Sequence, residues 1–158
     1  MLEKIKKYYF LFVLLISLIV IVGAYIIEYL YNFPPCKLCI YQRIPYLIAI
    51  FITFLGISYS KNLFWLYTLL LVFFSSFLLS GYHFGIEQEV FKEFSGCTGN
   101  SLDIIDKNEL LKILNSEVNS CKNVDFKIFG LSLATINFLL SFIIFILILK
   151  VIKNEKNK

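Results

Sequence analysis

Apolar residues in this chain run on rather than alternate with polar ones. Four stretches, at 9–27, 44–57, 63–79 and 129–149, contain no charged residue. A helix crossing the hydrocarbon core of a bilayer needs about 20 mostly apolar residues. Backbone polar groups cannot go unpaired in lipid, so each stretch is expected to be a helix. The second is short for a span and is expected to begin nearer Cys39. With their edges included, the spans are placed at about 9–28, 41–58, 63–82 and 129–150, joined outside by loops at about 29–40 and 83–128. The first is not expected to be a cleaved signal peptide, because its apolar run is too long and no small-residue cleavage site follows it. The pattern therefore predicts an all-α fold: an integral membrane four-helix bundle with one long outer loop, as a single membrane domain over 1–158.

Composition agrees. Hydrophobic residues make up 59% and charged residues 16% of the chain, too little polar surface for a soluble domain of this size. The net charge of +4 comes from basic residues that flank apolar runs, not from a patch on a folded surface. Membrane lipid is thus the expected partner and nucleic acid is not. Lys and Arg near the spans set orientation. Lys4, Lys6 and Lys7 precede the first span, Lys61 lies between the second and third, and Lys150, Lys153, Lys156 and Lys158 end the chain. Placing these inside puts both termini in the cytoplasm. The long loop, rich in Asp and Glu, then faces outward with Cys36, Cys39, Cys97 and Cys121. On a bacterial inner membrane that is the oxidising side, where disulfides persist. Within the loop, Asp106 to Glu109 reads as a capping box opening a short amphipathic helix at 107–118. Its apolar face fits either the membrane surface or the loop's own small core.

Candidate chemistry begins at Cys36-Lys37-Leu38-Cys39. Two thiols at this spacing can close and reopen a small disulfide ring. Cys39 lies near the start of a helix, where the dipole and free N–H groups favour a thiolate. Metal binding, with Cys97 and Cys121 as further ligands, and a purely structural disulfide are the alternatives. A haem attachment site would need His after the second cysteine, where Ile40 stands. Arg43 follows Cys39 by four residues and would share its helix face. Its fixed charge suits a thiolate or a developing oxyanion on a bound quinone; the alternative is an Arg snorkelling to lipid head groups. Pro45 means that the helix either starts late, with the proline in its first turn, or starts near Cys39 and bends there. Cys97 and Cys121 could tie the loop, worth about 3–4 kcal/mol by loop-closure entropy, or could exchange electrons with a soluble protein. His83, the single histidine, sits at the outer end of the third span, either as a packing residue or in a quinone site. Gly81 and Gly85 form a GxxxG expected to serve helix packing, and Asn137 is expected to hydrogen-bond between helices.

These residues resemble the disulfide bond formation protein B (DsbB) family. Pro34-Pro35-Cys36-Lys37-Leu38-Cys39-Ile40-Tyr41-Gln42-Arg43 is similar to its first-loop signature, with Gln42 where many members have Glu. The stretch from Gly81 to Glu87 resembles one branch of the family, and that from Phe129 to Asn137 resembles the start of its last span. The resemblance implies an inner-membrane enzyme that re-oxidises the periplasmic thiol oxidase DsbA and passes electrons to ubiquinone or menaquinone. It also implies that Cys97 meets the partner, Cys121 relays to Cys36, and Cys39 faces the quinone beside Arg43. A vitamin-K-epoxide-reductase-like enzyme has the quinone-proximal CxxC after the loop cysteines, whereas here it comes first. A non-enzymatic membrane protein braced by two disulfides is the reading from another class.

Overall fold

The computed structural model describes residues 2–59, 62–92, 121, 127–128 and 130–157. Four helices form the fold: α1 (Leu2–Tyr29), α2 (Lys37–Ser58), α3 (Phe64–Glu87) and α4 (Leu133–Lys156). A two-residue antiparallel pair, β1 (Lys127–Ile128) with β2 (Leu131–Ser132), precedes α4. All four helices are long and apolar enough to cross a membrane. The shortest has 22 residues, about 33 Å at 1.5 Å per residue, against a hydrocarbon core of about 30 Å. The fold is the expected all-α four-helix membrane bundle. Lys61, Cys97 and the amphipathic helix expected at 107–118 lie outside the described residues.

Helix ends depart from the apolar runs where local chemistry decides. Helix α2 starts at Lys37, because Cys36 is extended (φ −66, ψ 163) and its sulfur accepts the Cys39 N–H. The helix therefore starts early and holds Pro45 in its interior. Helix α3 runs on to Glu87, so His83 lies on a helix rather than in the loop. Helix α4 starts later than Phe129: the chain first turns through Gly130, at φ +80, and Ser132 then caps the helix by accepting the Thr135 N–H.

Consecutive helices pack on one another, α1 on α2, α2 on α3 and α3 on α4. The bundle closes where α1 meets α4, through a Lys6–Glu155 ion pair at 3.4 Å and a Tyr9 hydroxyl donating to the Ile144 carbonyl. Both ends of the chain thus share one end of the bundle. Phe10, Val13, Tyr46, Ala49, Leu66, Leu69, Phe73, Ile144 and Ile148 fill the middle. Close approach needs small residues. A Cβ at Gly56 would come within 2.7 Å of the Phe10 ring, and one at Gly81 within 3.1 Å of Phe138 on α4. The surface is inverted relative to a soluble protein. Ser17, Thr53, Ser76, Ser80 and Ser141 are buried, while Ile19, Phe51, Phe54, Leu71 and Ile143 face outward. Inward hydroxyls and outward hydrocarbon are what a lipid solvent selects.

Candidate redox site

The end of the bundle away from the termini gathers the chemistry. Capping of α2 by Cys36 places one helical turn between the two cysteines, and their sulfurs stand 2.7 Å apart. The structure shows the pair in its reduced form, with Cys36 buried and Cys39 partly exposed. The neighbouring helix brings His83, whose Nε2 lies 3.7 Å from the Cys36 sulfur. One turn on, Glu87 places Oε1 3.9 Å from the same nitrogen and accepts a hydrogen bond from the Ser132 hydroxyl. Cys121, buried and disulfide-bonded, packs against the group formed by Cys36, Leu38 and Ile86. The His83 ring also hydrogen-bonds the Cys121 backbone.

This setting favours a thiolate at Cys36. The hydrogen bond from the Cys39 thiol, helped by His83 and the Cys39 backbone N–H, outweighs the opposing effect of burial and lowers its pKa to about 5. An N-terminal helix position acts in the same direction. The pair is built to close a disulfide rather than to hold a metal. Cys36, Cys39 and His83 could each offer a ligand atom. Two sulfurs sharing a tetrahedral zinc, however, would stand about 3.8 Å apart at Zn–S distances of about 2.3 Å.

Arg43 faces the other way. Its Nη1 is 2.6 Å from Glu28 Oε2 on α1, and its guanidinium lies 5.0 Å from the centre of the Tyr25 ring. The structure therefore brings together Cys36, Cys39, His83 and Cys121, and ties Arg43, one turn below Cys39, to α1. Cys97 lies outside the described residues.

Beneath the cysteines runs a polar chain that sequence reading largely missed. His83 Nδ1 is 2.9 Å from Gln42 Nε2. Gln42 Oε1 accepts from Asn137 Nδ2, also at 2.9 Å. Asn137 Oδ1 accepts from the Tyr46 hydroxyl and from Ser141, and Ser141 reaches Ser76 at 2.9 Å. Asn137 bonds between helices as expected. The rest had one signal, a polar residue interrupting an apolar run, which is costly in lipid unless partnered. The sequence does not reveal that these interruptions on three helices meet.

A family model described as "Disulfide bond formation protein DsbB" matches residues 6–151, nearly the whole chain. An uncharacterized protein of Rickettsia prowazekii (strain Madrid E) is 31% identical over 132 residues, covering 80% of this chain and 76% of its own length.

Proposed function

Because this chain belongs to the disulfide bond formation protein DsbB family, we propose that it re-oxidises a DsbA-like periplasmic thiol oxidase and passes the electrons to a membrane quinone, the relay already known for that family. Family membership makes it a multi-pass membrane protein and an oxidoreductase of disulfide bond formation. The observation that supports the finer reading is the meeting of Cys36, Cys39, His83 and the disulfide-bonded Cys121 at one end of the bundle.

The order of exchange is the one that the family resemblance implies. Cys97, paired with Cys121 at rest, is attacked by the partner's thiolate, which releases Cys121. The Cys121 thiolate attacks Cys36 of a Cys36–Cys39 disulfide, and Cys39 leaves as the thiolate. The partner's second thiolate then attacks the mixed disulfide, closing the partner's own disulfide and releasing Cys97, and Cys97 attacks Cys121, restoring the loop disulfide and freeing Cys36. Two electrons and the partner's disulfide have changed hands, and the membrane-edge pair is left reduced. Cys39 is the partly exposed member of that pair, the one an acceptor in the lipid can reach. Ile40, Ile44 and Leu47 are exposed beside it and offer an apolar surface. Arg43 and His83 are the residues we assign to quinone. Ubiquinone or menaquinone, when bound, takes up two electrons and two protons and becomes the quinol. Cys36, held as a thiolate beside His83, is the group that closes the disulfide on Cys39. The lysines at the shared end of the termini support a cytoplasmic position for that end, across a bacterial inner membrane.

Purified protein mixed with a reduced DsbA-like oxidase should reduce ubiquinone or menaquinone, read as loss of quinone absorbance, with one disulfide formed per quinone consumed. No turnover with either quinone would overturn the proposal.

A further inference from the structure

The polar chain under the cysteines has a direction. An amide has one donor end and one acceptor end, so fixing either end fixes the other. In the structure the Tyr46 hydroxyl and Ser141 donate to Asn137 Oδ1, and the Asn137 NH2 faces Gln42. Gln42 takes that bond on Oε1 at 2.9 Å, which turns its own NH2 toward His83 Nδ1, again at 2.9 Å. A nitrogen facing an N–H donor must accept. That orientation opposes a proton on Nδ1, and so opposes the doubly protonated ring that the Cys36 thiolate and Glu87 would otherwise favour. The neutral ring that remains carries its proton on Nε2.

The surroundings of Nε2 lead to the same place independently. It faces the Cys36 sulfur at 3.7 Å and Glu87 Oε1 at 3.9 Å, with the Cys121 backbone as the ring's further partner. A thiolate and a carboxylate are both acceptors. Donors thus face one ring nitrogen and acceptors the other, and the ring is 3% exposed, so water does not compete.

We propose that Gln42 and Asn137 are positioning residues that hold His83 as its Nε2–H tautomer, so that the proton-bearing nitrogen faces Cys36. Neither residue needs to touch a reacting sulfur, since both act through the ring. In the opposite tautomer Nε2 would present a lone pair to a thiolate, and the Cys36 sulfur would lose its donor when it has to act as a nucleophile. The inference rests on the exchange role given above to Cys36, but its test does not use quinone turnover.

His83 is the single histidine in the chain, so labelling with ring-15N histidine gives one pair of nitrogen signals. In the reduced protein in lipid nanodiscs at neutral pH, Nε2 should be the protonated nitrogen and Nδ1 the acceptor. Gln42→Glu replaces the donor by a carboxylate, which only accepts, and should move a proton to Nδ1. Asn137→Ala introduces no charge and leaves the Gln42 amide free to turn, so the Nδ1–H form should become visible. The groups facing Cys36 are Cys39 from its own turn, His83 and Glu87 from α3, and Cys121. With those unchanged, Asn137→Ala should raise the Cys36 thiol titration, followed by thiolate absorbance, by about one to two pH units, as expected for losing a charge-assisted hydrogen bond. A wild-type ring protonated at Nδ1 would overturn the proposal without any variant. So would a wild-type nitrogen pattern in Gln42→Glu, or an unmoved thiol titration in Asn137→Ala. Correct tautomers in a protein that fails to reduce quinone would sink the proposed function and leave this inference standing.

Discussion

Removing the Arg43 guanidinium separates two jobs that one residue can do. In the structure it is a latch, paired with Glu28 at 2.6 Å and lying over Tyr25, with side chains only 15% and 22% exposed. In the proposed function it also serves the quinone site from one turn below Cys39. Surface ion pairs contribute about 0.2–1 kcal/mol, but this one is mostly buried, so the range for hydrogen bonds to charged groups, about 1.5–3 kcal/mol, applies. That range bounds what the latch adds to folding; a charge-assisted contact from Arg43 to the quinone falls in the same range, so Arg43→Ala should lower kcat/KM for quinone by roughly 10- to 150-fold, at 1.4 kcal/mol per factor of ten. Glu28→Gln breaks the same latch but keeps the cation, and should retain most quinone turnover. For folding, the double variant should be little worse than Arg43→Ala alone, because both remove one interaction. The assay is steady-state quinone reduction with a fixed concentration of reduced partner, alongside detergent-unfolding midpoints for the three variants. An Arg43→Ala protein that folds and turns over normally would leave Arg43 a membrane-edge latch. Equal kinetic losses in Glu28→Gln and Arg43→Ala would assign the effect to geometry rather than charge.

Other outcomes can be checked more quickly. Non-reducing peptide mapping of aerobically purified protein should find Cys36–Cys39 and Cys97–Cys121 disulfides; free Cys36 and Cys39 thiols would break the relay. In the reduced protein, alkylation of Cys36 should be nearly independent of pH from 7 to 9 and fall as pH drops through about 5, because the thiolate is lost below its lowered pKa; a rate that climbs steadily toward pH 9 would contradict the setting described for it. A DsbA-like partner lacking its second active-site cysteine should be trapped on Cys97, located by mass spectrometry, and a link mainly at Cys121 or Cys36 would reverse the order of exchange. Gly56→Ala should destabilise the bundle by about 1–3 kcal/mol, since the new methyl meets a buried Phe10 ring; an unchanged unfolding midpoint would show that the ring can move.

The four spans were legible because the solvent enforces them. A stretch such as 129–149, with no charge, has few folded alternatives in lipid. Helix ends were less so, because they depend on single side chains. Cys36 starts α2 by offering its sulfur to the Cys39 N–H, and Ser132 delays α4 until the chain has turned at Gly130. Periodicity does not encode either event. The same asymmetry holds at the site. The CxxC could be read from spacing, since one helical turn sets the distance between its sulfurs.

What spacing could not give is which neighbour each polar residue faces. Arg43 and Gln42 are adjacent in sequence, yet successive residues on a helix point about 100° apart. That difference sends Arg43 to Glu28 and Tyr25 on α1 and Gln42 to His83 on α3 and Asn137 on α4. From sequence, Arg43 looked like the residue closest to the chemistry, because it is charged and shares the motif. In the bundle, the neutral amide beside it has the more direct path to Cys36, through one imidazole. Burial explains the division. A guanidinium keeps its charge and gains from a position at the membrane edge, where a carboxylate and an aromatic face can share it. An amide has no charge to desolvate and can sit deeper, provided both its ends are satisfied. Gln42 and Asn137 satisfy each other, and their remaining ends reach His83 and Tyr46, so the polar chain continues from the cysteines into the apolar interior without an unpaired link at either amide.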